Sequence, residues 1–397
     1  MGLNDTPSAQ RVHISFFGRR NAGKSSLVNA VTGQSMSIVS EVKGTTTDPV
    51  KKSMEILPIG PVLIIDTPGY DDEGILGDKR VEKTEEILKS TDIAVLVIDP
   101  QAGVGATEKE LVQLFETRTL PYIIVLTKSD LDNDFTTDSN RPVISVSSLT
   151  GEGIHELKEL LGRVATENIQ EKSILGDLVS AGDTVLLVIP IDESAPKGRI
   201  ILPQQLVLRE LLDKDAVAIA VKENAVRSTI DNLKKKPVLV ITDSQAFEQV
   251  ATAVPEDIAL TSFSILMARY KGYLATALKG VSALNDLPDG ARILIAEGCT
   301  HHRQCGDIGT VKIPAWLKRF TGKNVVIETS SGNSFPKDLT PYDCVIHCGG
   351  CMLNEREVLS RMQLANEQGV PFINYGIAIA KMKGILERSV AVLPEGK

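Results

Sequence analysis

The stretch GRRNAGKSS, from Gly18 to Ser26, decides how this chain has to be read. It follows the apolar run VHISFF (Val12 to Phe17) and leads into the helical pattern KSSLVNAV. The spacing Gly18-x4-Gly23-Lys24-Ser25 between a strand and a helix is that of a phosphate-binding loop. The loop amides, those of Ala22 and Gly23 among them, and the helix start at Ser25 and Ser26 can cradle a β-phosphate. Lys24 is expected over the β and γ oxygens, and the Ser25 hydroxyl on Mg2+. A glycine-rich turn with an accidental lysine has no reason to sit between those two elements.

Outward from the loop, apolar runs alternate with helical patterns. VHISFF, VLIID, IAVLVID, YIIVLT and PVISVS are short and rich in Val, Ile and Leu, as strands covered on both faces of a parallel sheet must be. DKRVEKTEEILKS reads as one of the helices between them, so the pattern is doubly wound α/β. The text turns polar around Ala165 to Gly176, then brings the strand candidates DTVLLVIPI, DAVAIAV and PVLVITD. From Phe263 the helical stretch FSILMARYKGYLATALKGVSAL precedes ARILIAE, NVVIET, YDCVIH and VPFINYG. A chain of 397 residues exceeds what one core supports. The expected organisation is therefore α/β throughout: a phosphate-loop domain over 1–166 and two smaller α/β domains over 174–262 and 263–397.

Four further segments of the first domain bear on a nucleotide. KGTTTD supplies Thr45, Thr46 and Thr47, with Thr46 the candidate for Mg2+ and the γ-phosphate. DTPG places the Asp66 carboxylate behind the magnesium and the Gly69 amide on the γ-phosphate. TKSD offers Thr127, Lys128 and Asp130, and this aspartate can accept from the N1 and N2 donors of guanine, which adenine lacks. ISVSSLTGEG puts Ser147, Ser148 and Leu149 beside the base. In this order and spacing the motifs resemble the translation-factor-like small GTPases of the Era and TrmE branch. That resemblance implies GTP and Mg2+ as ligands and Lys24, Thr46, Asp66 and Gly69 as the catalytic set.

Two positions depart from the family pattern. Thr127 stands where an asparagine is usual, which implies a lost amide contact to the base and to the phosphate loop. Tyr70 stands where Ras-like enzymes carry the glutamine that orients the attacking water, so slow hydrolysis is expected. Asn21 resembles the asparagine that holds K+ against the phosphates in the TrmE branch. His155 falls on a helix after the last motif and reads as surface.

The five cysteines fall in two late segments, EGCTHHRQC and DCVIHCGGCM. Cys299 and His301 directly follow the strand ARILIAE; His347, Cys348 and Cys351 directly follow the strand YDCVI. Sites in open α/β sheets form at the carboxyl ends of strands, so neighbouring strands would bring Cys299 to Cys348 and Cys351. Gly349 and Gly350 let that loop turn tightly and aim its amides at sulfur. By spacing alone both a closed zinc site and a [4Fe-4S] cluster remain open. Cys344, within its strand, reads as a small buried hydrophobe.

The pattern Cys299-x-His301…His347-Cys348-x-x-Cys351, behind a GTPase domain and a middle domain, resembles the HydF family of FeFe-hydrogenase maturation GTPases. The resemblance covers essentially the whole chain. It implies a [4Fe-4S] cluster on the three cysteines, with His301, His347 or a carboxylate such as Glu297 as fourth ligand. It also implies a homodimer built on the middle domain. The implied role is a scaffold that holds a di-iron precursor, with radical-SAM maturases and the apo hydrogenase as partners.

Bulk properties agree with that reading. Hydrophobic content of 42% and charged content of 24% are ordinary for a soluble protein. A net charge of -8 and a pI near 5.4 argue against nucleic acid as a partner. No apolar run is long enough for a bilayer, and the first residues lack a secretory pattern. A cytoplasmic protein is expected, in which cysteines read as metal ligands before disulfides.

Overall fold

The computed structural model describes residues 7–33, 49–70, 75–131, 140–168, 172–191, 200–299, 307–332 and 334–393. The chain forms two compact units, 1–171 and 172–397.

The first unit holds a six-stranded sheet in the order β2-β3-β1-β4-β5-β6. Its strands are β1 (Val12–Phe17), β2 (Val50–Ile56), β3 (Gly60–Asp66), β4 (Ile93–Ile98), β5 (Tyr122–Leu126) and β6 (Val143–Ser145). Side chains alternate between two apolar layers, as the strand pleat requires. Ile14, Phe16, Val95 and Val125 pack on one face with Leu27 and Leu161; Phe17, Leu96 and Leu126 pack on the other with Leu111 and Phe115. Parallel registers set the functional ends level: Phe16 pairs with Asp66, and Phe17 with Leu96. The phosphate loop, Asp66-Thr-Pro-Gly69 and Thr127 thus emerge at one edge of the sheet.

One strand lies outside the expectation. VKKSMEI (β2) pairs antiparallel with β3, Val50 against Asp66. It is an edge strand whose residues are exposed or half-buried in all but one position, so it carries no continuous apolar run to announce it.

The second unit contains two four-stranded sheets. One, in the order β10-β9-β7-β8, consists of β7 (Thr184–Val188), β8 (Val217–Val221), β9 (Leu239–Thr242) and β10 (Ala259–Ser262). The other, in the order β12-β11-β13-β14, consists of β11 (Ala291–Glu297), β12 (Val325–Ser331), β13 (Cys344–His347) and β14 (Phe372–Asn374). Every pairing in both sheets is parallel. The two sheets, expected as separate domains, share one continuous apolar core running from Ile174 to Leu393.

The helical stretch after Phe263 is two helices, Phe263–Tyr270 and Leu274–Gly280. They break at Gly272, whose φ of +76° costs a side-chain-bearing residue strain. Ser262 caps the first, its Oγ accepting from the Ile265 amide at 3.2 Å. Among the described residues no helix is long and apolar enough to cross a membrane.

Candidate functional site

The nucleotide site is built at the carboxyl edge of the first sheet. Gly18 leaves β1 at φ +148°, where a Cβ would lie 2.4 Å from the Val97 carbonyl oxygen. Asn21 (φ +63°) and Gly23 (φ +91°) then turn the loop into the helix Lys24–Thr32. Lys24 is buried, and its Nζ donates to the Gly18 and Arg19 carbonyls at 2.9 and 2.7 Å. The ammonium is thus held inside the loop's own curve, where a phosphate would meet it. Ser25 Oγ donates to Asp66 Oδ2 at 2.5 Å. Burial holds the Asp66 carboxyl above its ordinary pKa, partly offset by Ser25 and the Lys24 charge. Its Oδ1 is buried with no hydrogen-bond partner among the described residues. A buried, unsatisfied carboxylate oxygen beside a serine hydroxyl fits a hydrated divalent cation.

Gly69 packs against the phosphate loop so closely that a Cβ there would come within 2.8 Å of Arg20 Cα. The next residue, Tyr70, donates its amide to Gly18 O at 3.1 Å. Its ring is buried, and its hydroxyl donates to Glu110 Oε1 at 2.8 Å. Tyr70 therefore anchors the helix Ala106–Thr117 and does not present a water-orienting group. A second tie reaches that helix from the loop, where Arg19 pairs with buried Glu108 at 2.5 Å.

The base-side residues converge as expected, with one correction. Thr127 does not lose the contact to the phosphate loop: its Oγ1 donates to Ala22 O at 2.9 Å, within reach of Ile98 O as well. A short hydroxyl reaches because Gly23 passes with a virtual Cβ only 3.5 Å from Thr127. Lys128 takes a left-handed backbone (φ +59°) and pairs with Asp99 at 2.5 Å. Asp130 is exposed, and buried Ser147 donates to its Oδ1 at 2.6 Å, leaving Oδ2 for a ligand. Ser147 Oγ also accepts the Leu149 and Thr150 amides. Ser148 is half-buried beside it. Thr45, Thr46 and Thr47 lie outside the described residues. His155 is exposed and pairs with Glu159, so it plays no part in the site.

The cysteines occupy the second unit. β11 and β13 are neighbours, with Ala296 opposite His347. Cys299, Cys348 and Cys351 all line one cavity of about 300 Å³, together with Glu297, Asp307 and Tyr375. Cys348 Sγ accepts backbone amides from Gly298 at 3.1 Å and Gly350 at 3.3 Å. Gly350 (φ +63°) turns the loop so that this is possible. Amides aimed at sulfur stabilise a thiolate bound to metal. Without metal, burial raises the Cys348 thiol and pushes Cys351 up to about 11, so filling the site must release protons. Among the described residues no three His, Cys, Asp or Glu side chains converge as a single ion requires. Cys344 is fully buried in the core, with burial raising its thiol to about 12.

His347 does not join the cysteines. The pleat of β13 turns it to the face opposite Cys348, where its ring stacks on Phe372 at 5.4 Å. Nδ1 donates to Cys348 O at 2.7 Å, and Arg361 donates to Nε2 at 3.4 Å. Burial, with the Arg361 charge, lowers its pKa to about 3. His301, His302 and Cys305 lie outside the described residues.

The cysteine loop is fastened from an unexpected direction. Buried Lys271 donates to Leu353 O, and Tyr273 donates to Cys348 O at 3.4 Å while accepting from Asn374 at 2.9 Å. Lys271 and Tyr273 flank Gly272, the break between the two helices. Their side chains therefore grip the cysteine loop at both ends. Nothing in YKGY marks it as part of a site.

Comparison with known proteins assigns each part. Residues 13–128 match a family model described as a 50S ribosome-binding GTPase. GTPase Der of Kosmotoga olearia is 32% identical over 217 residues, covering 49% of this chain and 48% of that protein. The tRNA modification GTPase MnmE of Heliobacterium modesticaldum is 36% identical over 156 residues, covering 37% and 33% respectively. The chain spans about half or less of these relatives' length. Among solved structures, Aquifex aeolicus Era bound to GDP.AlF4- is 25% identical over 38% of this chain and 56% of its own, with a TM-score of 0.33. Residues 174–272 match the hydrogen maturase F dimerization domain, and residues 275–392 the hydrogen maturase F tetramerization domain. These two models together take in more than half of the chain, directly behind a GTPase domain, and the chain belongs to the hydrogen maturase F family of GTPases.

Proposed function

We propose that this protein is a GTP-hydrolysing scaffold on which a [4Fe-4S] cluster receives, holds and passes on the di-iron precursor of an FeFe-hydrogenase active site. The observation that carries the reading is the lining of one cavity by Cys299, Cys348 and Cys351, in a unit matching hydrogen maturase F domains. Three soft thiol ligands in one cavity, with backbone amides donated to Cys348 Sγ, suit an iron–sulfur cluster. Cys299, Cys348 and Cys351 would hold such a cluster by three thiolates, which would leave it a position open to an exchangeable ligand. Glu297, hydrogen-bonded by Tyr375 at 3.3 Å, lines the same cavity as Asp307 and is the proposed carboxylate ligand at that corner. His347 is withdrawn from that role by its burial.

In the first unit Lys24 binds the β and γ oxygens, Ser25 and Asp66 hold Mg2+, Gly69 meets the γ-phosphate and Asp130 selects guanine. Magnesium supplies positive charge as the phosphoryl group leaves. Asn21, turned into its left-handed conformation at the head of the loop, is the candidate ligand for K+. Radical-SAM maturases are the proposed donors and the apo hydrogenase the acceptor, with the protein working as an oligomer in the cytoplasm.

Anaerobic reconstitution with iron and sulfide tests the reading. The expected product is brown, holds about four irons per chain as the cluster type requires, and shows a paramagnetic signal when reduced. A colourless protein that retains zinc instead would refute the scaffold. Hydrolysis faster in K+ than in Na+ is expected, and equal rates would remove the K+ site alone.

A further inference from the structure

The cavity that holds the three cysteines has a second wall. It is contributed by the middle sheet: Ile189 and Pro190 after β7, Asp243 and Ser244 after β9, and Ile201 and Gln204 at the start of the helix Leu202–Asp213. Gln204 is buried; its Nε2 donates to Asp243 Oδ2 at 3.0 Å and its Oε1 accepts the Ile201 amide at 2.9 Å. That pair fixes the chain where Ile201 faces the cavity. Phe263 and Met267, on the helix capped by Ser262, close the bottom. Both sheets thus point their carboxyl ends at one space, with sulfur on one side and mostly apolar surface on the other.

We propose that this middle-domain wall is the specificity surface of the scaffold, which sets the size and character of the fragment allowed to bridge to the cluster. The inference rests on the scaffold reading and adds to it a binding role for a domain otherwise assigned to oligomerisation. Chemistry points to the occupant. The described lining is sulfur, aliphatic and neutral or acidic, with no lysine or arginine among the described residues. Soft sulfur on one side, faced by Ile189 and Ile201 with Met267 at the bottom, suits a compact iron fragment whose outer ligands are small and weakly hydrated. At about 300 Å³ the space lies at the small end of ligand pockets, so a single residue on the wall changes what fits.

Ile201 is the residue to change, because it is half-buried and faces the cavity without belonging to the sheet core. Wild type, Ile201→Trp and Ile201→Ala are reconstituted anaerobically, and the reduced cluster is titrated with cyanide and with 4-phenylimidazole under paramagnetic resonance. Iron per chain should match in all three. For the bulky probe, Ile201→Trp should raise the half-saturation concentration at least tenfold and Ile201→Ala should lower it. Cyanide should shift less than twofold in both. Unchanged affinity for 4-phenylimidazole in both variants, with full iron content, would overturn the proposal and leave the scaffold reading standing. Equal losses for both probes in Ile201→Trp would also overturn it, since they would report a damaged cluster. A wild type that takes up no iron would sink the scaffold reading and this proposal with it.

Discussion

Ser147→Ala tests how the base is recognised. Ser147 is buried, and its hydroxyl donates at 2.6 Å to Asp130 Oδ1 while accepting two amides at 3.2 and 3.3 Å. The first is a short hydrogen bond to a carboxylate, of a kind worth about 1.5–3 kcal/mol. Asp130 is exposed, so water replaces part of the lost bond and the lower end applies. That bond exists before nucleotide binds, so most of the loss falls on the fold: about 1.5 kcal/mol, or a Tm lower by about 3–6 °C for a unit of this size. Affinity falls for a different reason. A freed Asp130 has to be immobilised again on binding, at about 0.5–1.5 kcal/mol, which is roughly a two- to twelvefold weaker Kd for GDP. The preference for GDP over IDP should shrink too, because the 2-amino group that distinguishes them is read by the oriented carboxylate. Fluorescence titration with both nucleotides and a melting curve measure all three effects. Unchanged Kd and unchanged GDP-over-IDP preference would show that Ser147 does not orient Asp130.

Other perturbations separate the two units. Lys24→Ala should abolish GTP hydrolysis, measured as phosphate release, because the ammonium now seated on Gly18 O and Arg19 O is removed; wild-type turnover would refute the assignment. Asp66 has a folded-state pKa above its unfolded value, so the metal-free fold favours the protonated form, and that stability fades as pH rises through the folded pKa. Asp66→Asn should therefore melt higher than wild type at neutral pH without Mg2+, lose that pH dependence, and hydrolyse no GTP; a lower Tm across the range would contradict the burial argument. Cys348→Ser should lose most of its iron while GTP hydrolysis persists, since the cysteine lies in the other compact unit. His347→Ala should instead destabilise the second unit by about 3 kcal/mol in chemical denaturation, through the vacated space against Phe372, and bind iron normally where folded.

Much of this was legible before the structure. Strands β3, β4 and β5 are apolar on both faces, and a run such as IAVLVI has few other places to go. The phosphate loop and the cysteines were legible because their spacing is chemical and local. The edge strand β2 was hidden by its half-exposed face. His347 was misleading for the opposite reason: next to cysteine it looks like a ligand, whereas a two-residue pleat places neighbours on opposite faces. Thr127 could not be judged from its motif, because its acceptor at Ala22 is distant in sequence. The second wall of the cavity was the least visible of all. Ile189, Gln204 and Asp243 come from three elements, and no spacing links them.

The grip of Lys271 and Tyr273 on the cysteine loop has a mechanical meaning. The two hydrogen maturase F domain models end at 272 and begin at 275, so the seam between them runs through the residues that hold Cys348 and Leu353. A rotation of one sheet against the other cannot be absorbed at a slack linker, because the seam has none. It loads the short peptide between Cys348 and Leu353, on which two of the three sulfurs are mounted. Strain between the two sheets would therefore be felt first at the two cysteines mounted on that peptide.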